Sequence, residues 1–111
     1  YKPGDFFKKH QDYLAVTSNV IEELTLIICV NEEHASVGGQ TVVYTHGETL
    51  TSAATTTPRC GLLFRKDLAH EALRLKSGEK HVITLNLWAM PTTTAPERVL
   101  LVEFPSPRPA K

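Results

Sequence analysis

Cysteine is scarce, long apolar runs are missing and neither sign of charge prevails. Each shortage removes a class of protein. Two cysteines among 111 residues are too few for the disulfide framework of a small secreted domain. One disulfide between them is the alternative, but both are expected as free thiols: Cys29 lies inside an apolar run, and Cys60 follows Pro58-Arg59. That usage suits a reducing compartment, so an intracellular location, cytoplasmic or nuclear, is expected. No apolar stretch approaches the roughly 20 residues that span a bilayer, so no membrane association is expected. Twelve Lys+Arg balance twelve Asp+Glu. Without a basic stripe, nucleic acid is the least attractive partner. No long stretch carries a helical stripe, and there are no repeats; Asn19–Leu24 and Asp67–Leu75 are the only weak helix candidates.

What remains is an ordinary globular composition, with 41% hydrophobic and 22% charged residues, enough for one domain. The apolar runs are short, β-branched and bounded by turn residues, as strands are. Five stand out: Leu24–Val30, Thr41–Thr45, Gly61–Phe64, His81–Met90 and Val99–Phe104. Gly38-Gly39, His46-Gly47, Ser77-Gly78 and Pro91 punctuate them. This spacing predicts an all-β sandwich or barrel over residues 1–104. Thr49–Pro58 and Pro91–Pro96 read as loops, and 105–111 as a Pro-rich tail or linker. Leu24–Val30 and the run from Val82 to Trp88 are apolar on both faces, which calls for a second covering layer, commonly helices. The chain also opens directly on patterned sequence at Tyr1-Lys2-Pro3-Gly4. An excised part of a longer protein, lacking upstream helices and a strand, is therefore expected.

Candidate chemistry concentrates in few residues. In an extended segment, positions i and i+2 share a side. His10 and Asp12 then present an imidazole and a carboxylate together, with Gln11 turned away. His70 from a distant strand would complete a 2-His-1-carboxylate face, a donor set that suits Fe(II) and leaves three octahedral positions open. An H-x-D tripeptide is common by chance, and a lone His70 or Lys80 is ordinarily a surface residue, so the joint pattern carries the argument. If Lys80 points inward, Val82, Thr84, Asn86 and Trp88 do too. Thr84, Asn86 and Trp88 would then form a polar-aromatic wall, while Ile83, Leu85 and Leu87 face out; alternatively Trp88 fills a barrel end. His34 and His46 read as surface turn residues, and His81 has the outward parity.

The stretch Y-K-P-G-D-F-F-K-K-H-Q-D (1–12) resembles the Y-x-x-G-x-x-F/Y-x-x-H-x-D signature of prolyl 4-hydroxylase-like 2-oxoglutarate/Fe(II) dioxygenases. T-L-I-I-C-V-N (25–31) with G-G-Q-T (38–41) is similar to that family's T-x-L-x-Y-L-N…G-G-E-T. G-L-L-F (61–64), His70-Glu71 and S-G-E-K-H (77–81) resemble its G-x-L-F…H…G-x-K block. Cys29 stands where the family often has tyrosine, and Gln40 where it often has glutamate. The resemblance runs in order from residue 1 to about 90.

It implies a double-stranded β-helix (jelly-roll) barrel in which His10, Asp12 and His70 ligate Fe(II). Lys80 would pair with the distal carboxylate of 2-oxoglutarate, with Thr41 and Tyr1 beside it. It further implies O2 as oxidant, ascorbate as reductant, release of succinate and CO2, and hydroxylation of a protein or small-molecule substrate, with peptidyl proline the first candidate. Two other readings fit the same residues. One is a non-catalytic jelly-roll that binds a metal or a partner. The other is a zinc hydrolase, in which Lys80 would have no evident role.

Overall fold

The computed structural model describes residues 1–12, 22–31, 34, 36–89 and 99–104. Ten strands form in chain order: β1 Phe7–His10, β2 Glu22–Cys29, β3 Val37–Gly38, β4 Thr41–Tyr44, β5 Thr49–Ser52, β6 Cys60–Arg65, β7 Ala69–Ala72, β8 Leu75–Ser77, β9 Val82–Ala89 and β10 Val99–Glu103. A single 3-10 turn, Ala54–Thr56, precedes β6. No α-helix is present among the described residues, so the all-β expectation holds. One sheet runs β1-β7-β4-β5 and the other β10-β6-β2-β9; β3 and β8 form a separate ribbon. All pairings are antiparallel. This is a jelly-roll-like core of two four-stranded sheets, with no closure into a barrel among the described residues.

The β-branched runs became strands because such side chains pack on a pleated surface. Val43 of the first sheet meets Leu62 and Phe64 of the second, with Leu68 completing a buried cluster and Ile27 and Val99 against it. This core ties the two sheets together where β2 and β6 are paired, Ile27 opposite Leu62 and Thr25 opposite Phe64. Each large member of this cluster contributes roughly 1.5–3 kcal/mol by its burial to holding the sheets together.

Two segments differ from the sequence reading. Thr49–Pro58 is not simply a loop, because Thr49–Ser52 pairs with β4 as an edge strand. Its small polar residues conceal an alternation in which Leu50 and Ser52 are half-buried while Thr49 and Thr51 are exposed. Asp67–Leu75 is no helix: its centre is β7, whose His70 and Ala72 point inward and whose Ala69 and Glu71 are less buried. Of Asn19–Leu24, only the last three residues are described, and they are strand. Pro91–Pro96 and the 105–111 tail lie outside the described residues.

The two-faced apolar strands are real. Ile83, Leu85 and Leu87 of β9 face out and stay exposed, together with Leu100 of β10. No described segment covers that face. No helix among the described residues is long and apolar enough to cross a membrane.

Candidate metal and co-substrate site

β1 and β7 bring the two histidines together. His10 and His70 are direct partners in the antiparallel register, so their rings stand side by side with centroids 4.2 Å apart. Asp12 lies just beyond β1, where its amide donates to the Lys66 carbonyl at 3.3 Å. The Gln11 side chain turns away and donates to the Asp67 carbonyl at 2.7 Å, as the i, i+2 alternation predicts. His10 Nε2 and His70 Nε2 each lie 3.4 Å from the same oxygen, Oδ1 of Asp12. The three ligand atoms fall within 4.8 Å of one another.

The remaining polar atoms of this trio are tied to protein. His10 Nδ1 lies 2.6 Å from the Lys8 carbonyl, and His70 Nδ1 lies 2.9 Å from the Leu68 carbonyl. A carbonyl can only accept, so both Nδ1 atoms carry a proton and both Nε2 atoms face Asp12. Thr25 Oγ1 donates to Asp12 Oδ2 at 2.7 Å, leaving Oδ1 for the histidine side. Phe7 stacks on His10 at 4.0 Å, and Phe64 meets His70 edge-on at 4.8 Å. Burial lowers the His70 pKa below its usual 6.5; His10 adds to this, while the Leu68 carbonyl and Asp12 oppose it. An imidazole whose Nδ1 is fixed by a carbonyl and whose Nε2 shares a small space with a carboxylate oxygen is placed as a metal ligand must be. The donor set therefore fits a divalent ion taking two imidazoles and one carboxylate.

Lys80 sits at another part of the same cavity. Its side chain is 2% exposed. Its ammonium donates to the Gly39 carbonyl at 2.9 Å and lies 4.3 Å from the centre of the Tyr1 ring. Main-chain bonds in both directions join Tyr1 and Lys80, at 2.6 and 2.9 Å. One charged hydrogen bond contributes about 1.5–3 kcal/mol and a ring face about 0.5–2 kcal/mol. Desolvating an ammonium costs several. Desolvation wins, and the Lys80 pKa falls from 10.5 to about 8, with Cys29 opposing the fall slightly. Gly39 makes the contact feasible with φ +71°, where an added Cβ would meet Leu75 Cδ1 at 3.1 Å and Lys80 Cδ at 3.4 Å. A buried cation with so little compensation fits a carboxylate-bearing ligand.

The cavity, about 190 Å³, is lined by all six candidate residues: Tyr1, His10, Asp12, Thr41, His70 and Lys80. Thr41 shares a 2.7 Å hydrogen bond with Thr55; both are buried. Only the first part of β9 takes the inward place that its parity predicts. Val82 and Thr84 line the cavity, but Asn86 and Trp88 do not, and Trp88 is 55% exposed with its indole nitrogen donating to Glu23 Oε1 at 3.1 Å. Asn86 pairs with the cavity-lining Thr25, but β9 is the edge strand of its sheet and from Asn86 onward these side chains are exposed without reaching the cavity. Trp88 therefore neither walls the pocket nor fills a barrel end. His34, His46 and His81 are exposed, as expected.

Thr25 escaped the sequence reading because a threonine in a strand run is ordinary, and Thr55 because it lies in the 3-10 turn of a small polar stretch that reads as a loop. The signal for Thr25 was its parity with Ile27: both face the cavity.

Fold and donor set together define an all-β protein with a jelly-roll-like core and a cavity equipped for a divalent metal. The chain matches the 2OG-Fe(II) oxygenase superfamily over residues 1–88 and belongs to that superfamily. Membership implies Fe(II) and 2-oxoglutarate as its cofactor and co-substrate. A fowlpox virus (strain NVSL) protein described as uncharacterized protein FPV006/FPV255 is 33% identical over 82 residues, covering 74% of this chain and 18% of its own length. The chain thus spans about a fifth of that relative. No solved structure matches.

Proposed function

We propose that this domain is a 2-oxoglutarate- and Fe(II)-dependent dioxygenase that hydroxylates its substrate. The observation that carries the reading is the convergence of two Nε2 atoms on Asp12 Oδ1, in one cavity with a buried lysine. His10, Asp12 and His70 would hold Fe(II), and Lys80 would hold the distal carboxylate of 2-oxoglutarate. Bound together, these groups supply oxidative decarboxylation to succinate and CO2 coupled to hydroxylation by O2.

The chain's own part is positional. Carbonyls of Lys8 and Leu68 hold the imidazole tautomers, and Thr25 holds the second carboxylate oxygen. Lys80 fixes the co-substrate by charge, with Thr41 within the same wall and the Tyr1 ring against the ammonium. Ile27, Ala72 and Val82 exclude water between the two ends. Peptidyl proline is the first substrate to assay, as a prolyl 4-hydroxylase-like reading implies, with ascorbate included as reductant; the fold itself does not choose the substrate. The test is succinate release from 2-oxoglutarate by the full-length protein with Fe(II), ascorbate and O2. Turnover, coupled or uncoupled, that disappears in Asp12→Ala supports the reading; no turnover from folded, iron-loaded protein counts against it.

A further inference from the structure

Cys29 ends β2 and Cys60 begins β6. The antiparallel register between these strands pairs Ile27 with Leu62 and Ile28 with Gly61. Continued one step, that register would set Cys29 against Cys60, and the Cys60 thiol contributes to the raised Cys29 pKa, so the two lie near one another. Directly opposed residues share a sheet face, with Cα atoms about 4.5–5.5 Å apart. A disulfide needs Cα atoms about 4.4–6.8 Å apart. Both cysteines are free thiols, and residues opposed in such a register have the spacing that a disulfide spans.

Their surroundings differ in a useful way. Cys29 is 1% exposed, whereas Cys60 is only half-buried. Burial pushes the Cys29 thiol pKa up; an Asn31 backbone hydrogen bond and Lys80 oppose the rise, and the Cys60 thiol adds to it. The two sulfurs therefore sense one another, and Cys29 also senses the lysine at the co-substrate end. Cys60 is set in place by a turn in which its amide donates to the Thr57 carbonyl at 3.1 Å. Pro58 leads that turn, and Arg59 follows with φ 62°, the one described non-glycine residue at positive φ. Glycine is the usual choice there, so the strand opens on strained backbone.

We propose that Cys29 and Cys60 are a redox-active pair that closes to a cross-strand disulfide beside the cavity, by exchange with a low-molecular-weight disulfide such as glutathione disulfide. The Cys60 thiolate, the accessible one, attacks one sulfur of glutathione disulfide. That S–S bond breaks, a Cys60–glutathione bond forms and one glutathione leaves. Cys29 gives up its proton and attacks the Cys60 sulfur, releasing the second glutathione. Two protein thiols are oxidised to one disulfide, one glutathione disulfide is reduced to two thiols, and the two protons end on the products. The bond would join two neighbouring strands of the second sheet next to Lys80. This inference stands whether or not the domain is an oxygenase.

The experiment equilibrates reduced, metal-free protein in anaerobic glutathione buffers of graded oxidised fraction. Intact mass and thiol labelling after acid quench then count the species. The expected product has lost two hydrogens, carries no glutathione, labels at neither cysteine and returns to two thiols with dithiothreitol. In Cys29→Ser, the glutathione adduct at Cys60 should instead accumulate. In Cys60→Ser, Cys29 should stay unmodified while the protein is folded. A lasting glutathione adduct on the wild type, disulfides between chains, or full retention of both thiols at the most oxidising ratio would overturn the proposal.

Discussion

At one end of the cavity His10, Asp12 and His70 hold one another and are held by nearby carbonyls and a hydroxyl. At the other, Lys80 has one carbonyl and one ring face for a buried charge. The first end is built from local contacts: each histidine bonds the carbonyl two residues before it, and strand pairing supplies the rest. The second is assembled from Tyr1, Gly39 and Lys80, the first and last of them 79 positions apart. The metal end is thus preorganised by its own polar contacts, while the lysine end keeps an electrostatic deficit that an anionic ligand can relieve. A cavity with those two characters is suited to binding a metal and a carboxylate together, and each end can be disturbed separately.

The largest effect is expected from His70→Ala, which removes a ligand atom. Metal affinity should fall by more than the roughly 10–100-fold typical of losing an outer partner, as read by anaerobic titration calorimetry. Retention of wild-type affinity would break the proposed metal end. Lys80→Met should act on the other end alone. We expect a roughly 10–100-fold loss of 2-oxoglutarate affinity, the equivalent of one charge-assisted hydrogen bond, with metal affinity preserved. Because it replaces a poorly compensated buried charge, the same variant should unfold at equal or higher denaturant concentration. A large loss of stability would mean that Lys80 is compensated better than its contacts indicate.

Thr25→Val sharpens the comparison at the metal end. Losing the hydroxyl that holds Asp12 Oδ2 should weaken metal binding about tenfold and leave 2-oxoglutarate affinity at saturating metal little changed.

The smallest effects are in pH. Lys80 has a folded pKa of about 8 against an ordinary 10.5, so the unfolded chain binds more protons between those values. Its burial penalty is full below about pH 8, and its share of the unfolding free energy rises with pH from there to about 10.5. In binding, only the protonated fraction is competent, so the 2-oxoglutarate dissociation constant should rise up to about tenfold between pH 7 and 9. Both trends should vanish in Lys80→Met, in denaturation series and ligand titrations respectively.

Much of this was legible in the chain. Runs such as LTLIIC, VITLNLWA and VLLVE announce strands because branched apolar residues between turn formers have little else to do. His10, Asp12, His70 and Lys80 stood out as chemistry-bearing residues at interpretable parity, and the structure brings all four to one cavity. The sequence was silent where a residue's role depends on its partner. Thr25 bonds Asp12 across a gap of 13 positions, and Thr41 meets Thr55 across 14; the chain itself shows neither pairing. The edge strand Thr49–Ser52 was hidden because pairing on one side and solvent on the other lets small polar residues serve. The place of Trp88 is not legible because parity says which face a side chain takes but not that its strand lies at the sheet edge.

The most direct test is an anaerobic titration of the full-length protein with Fe(II) and 2-oxoglutarate, watching the weak visible charge-transfer band of the chelated pair. The account predicts a band that saturates in the wild type and is absent in His70→Ala. In Lys80→Met the band should return only at much higher 2-oxoglutarate. A folded wild-type protein that gives no band, or a band indifferent to both substitutions, would contradict it.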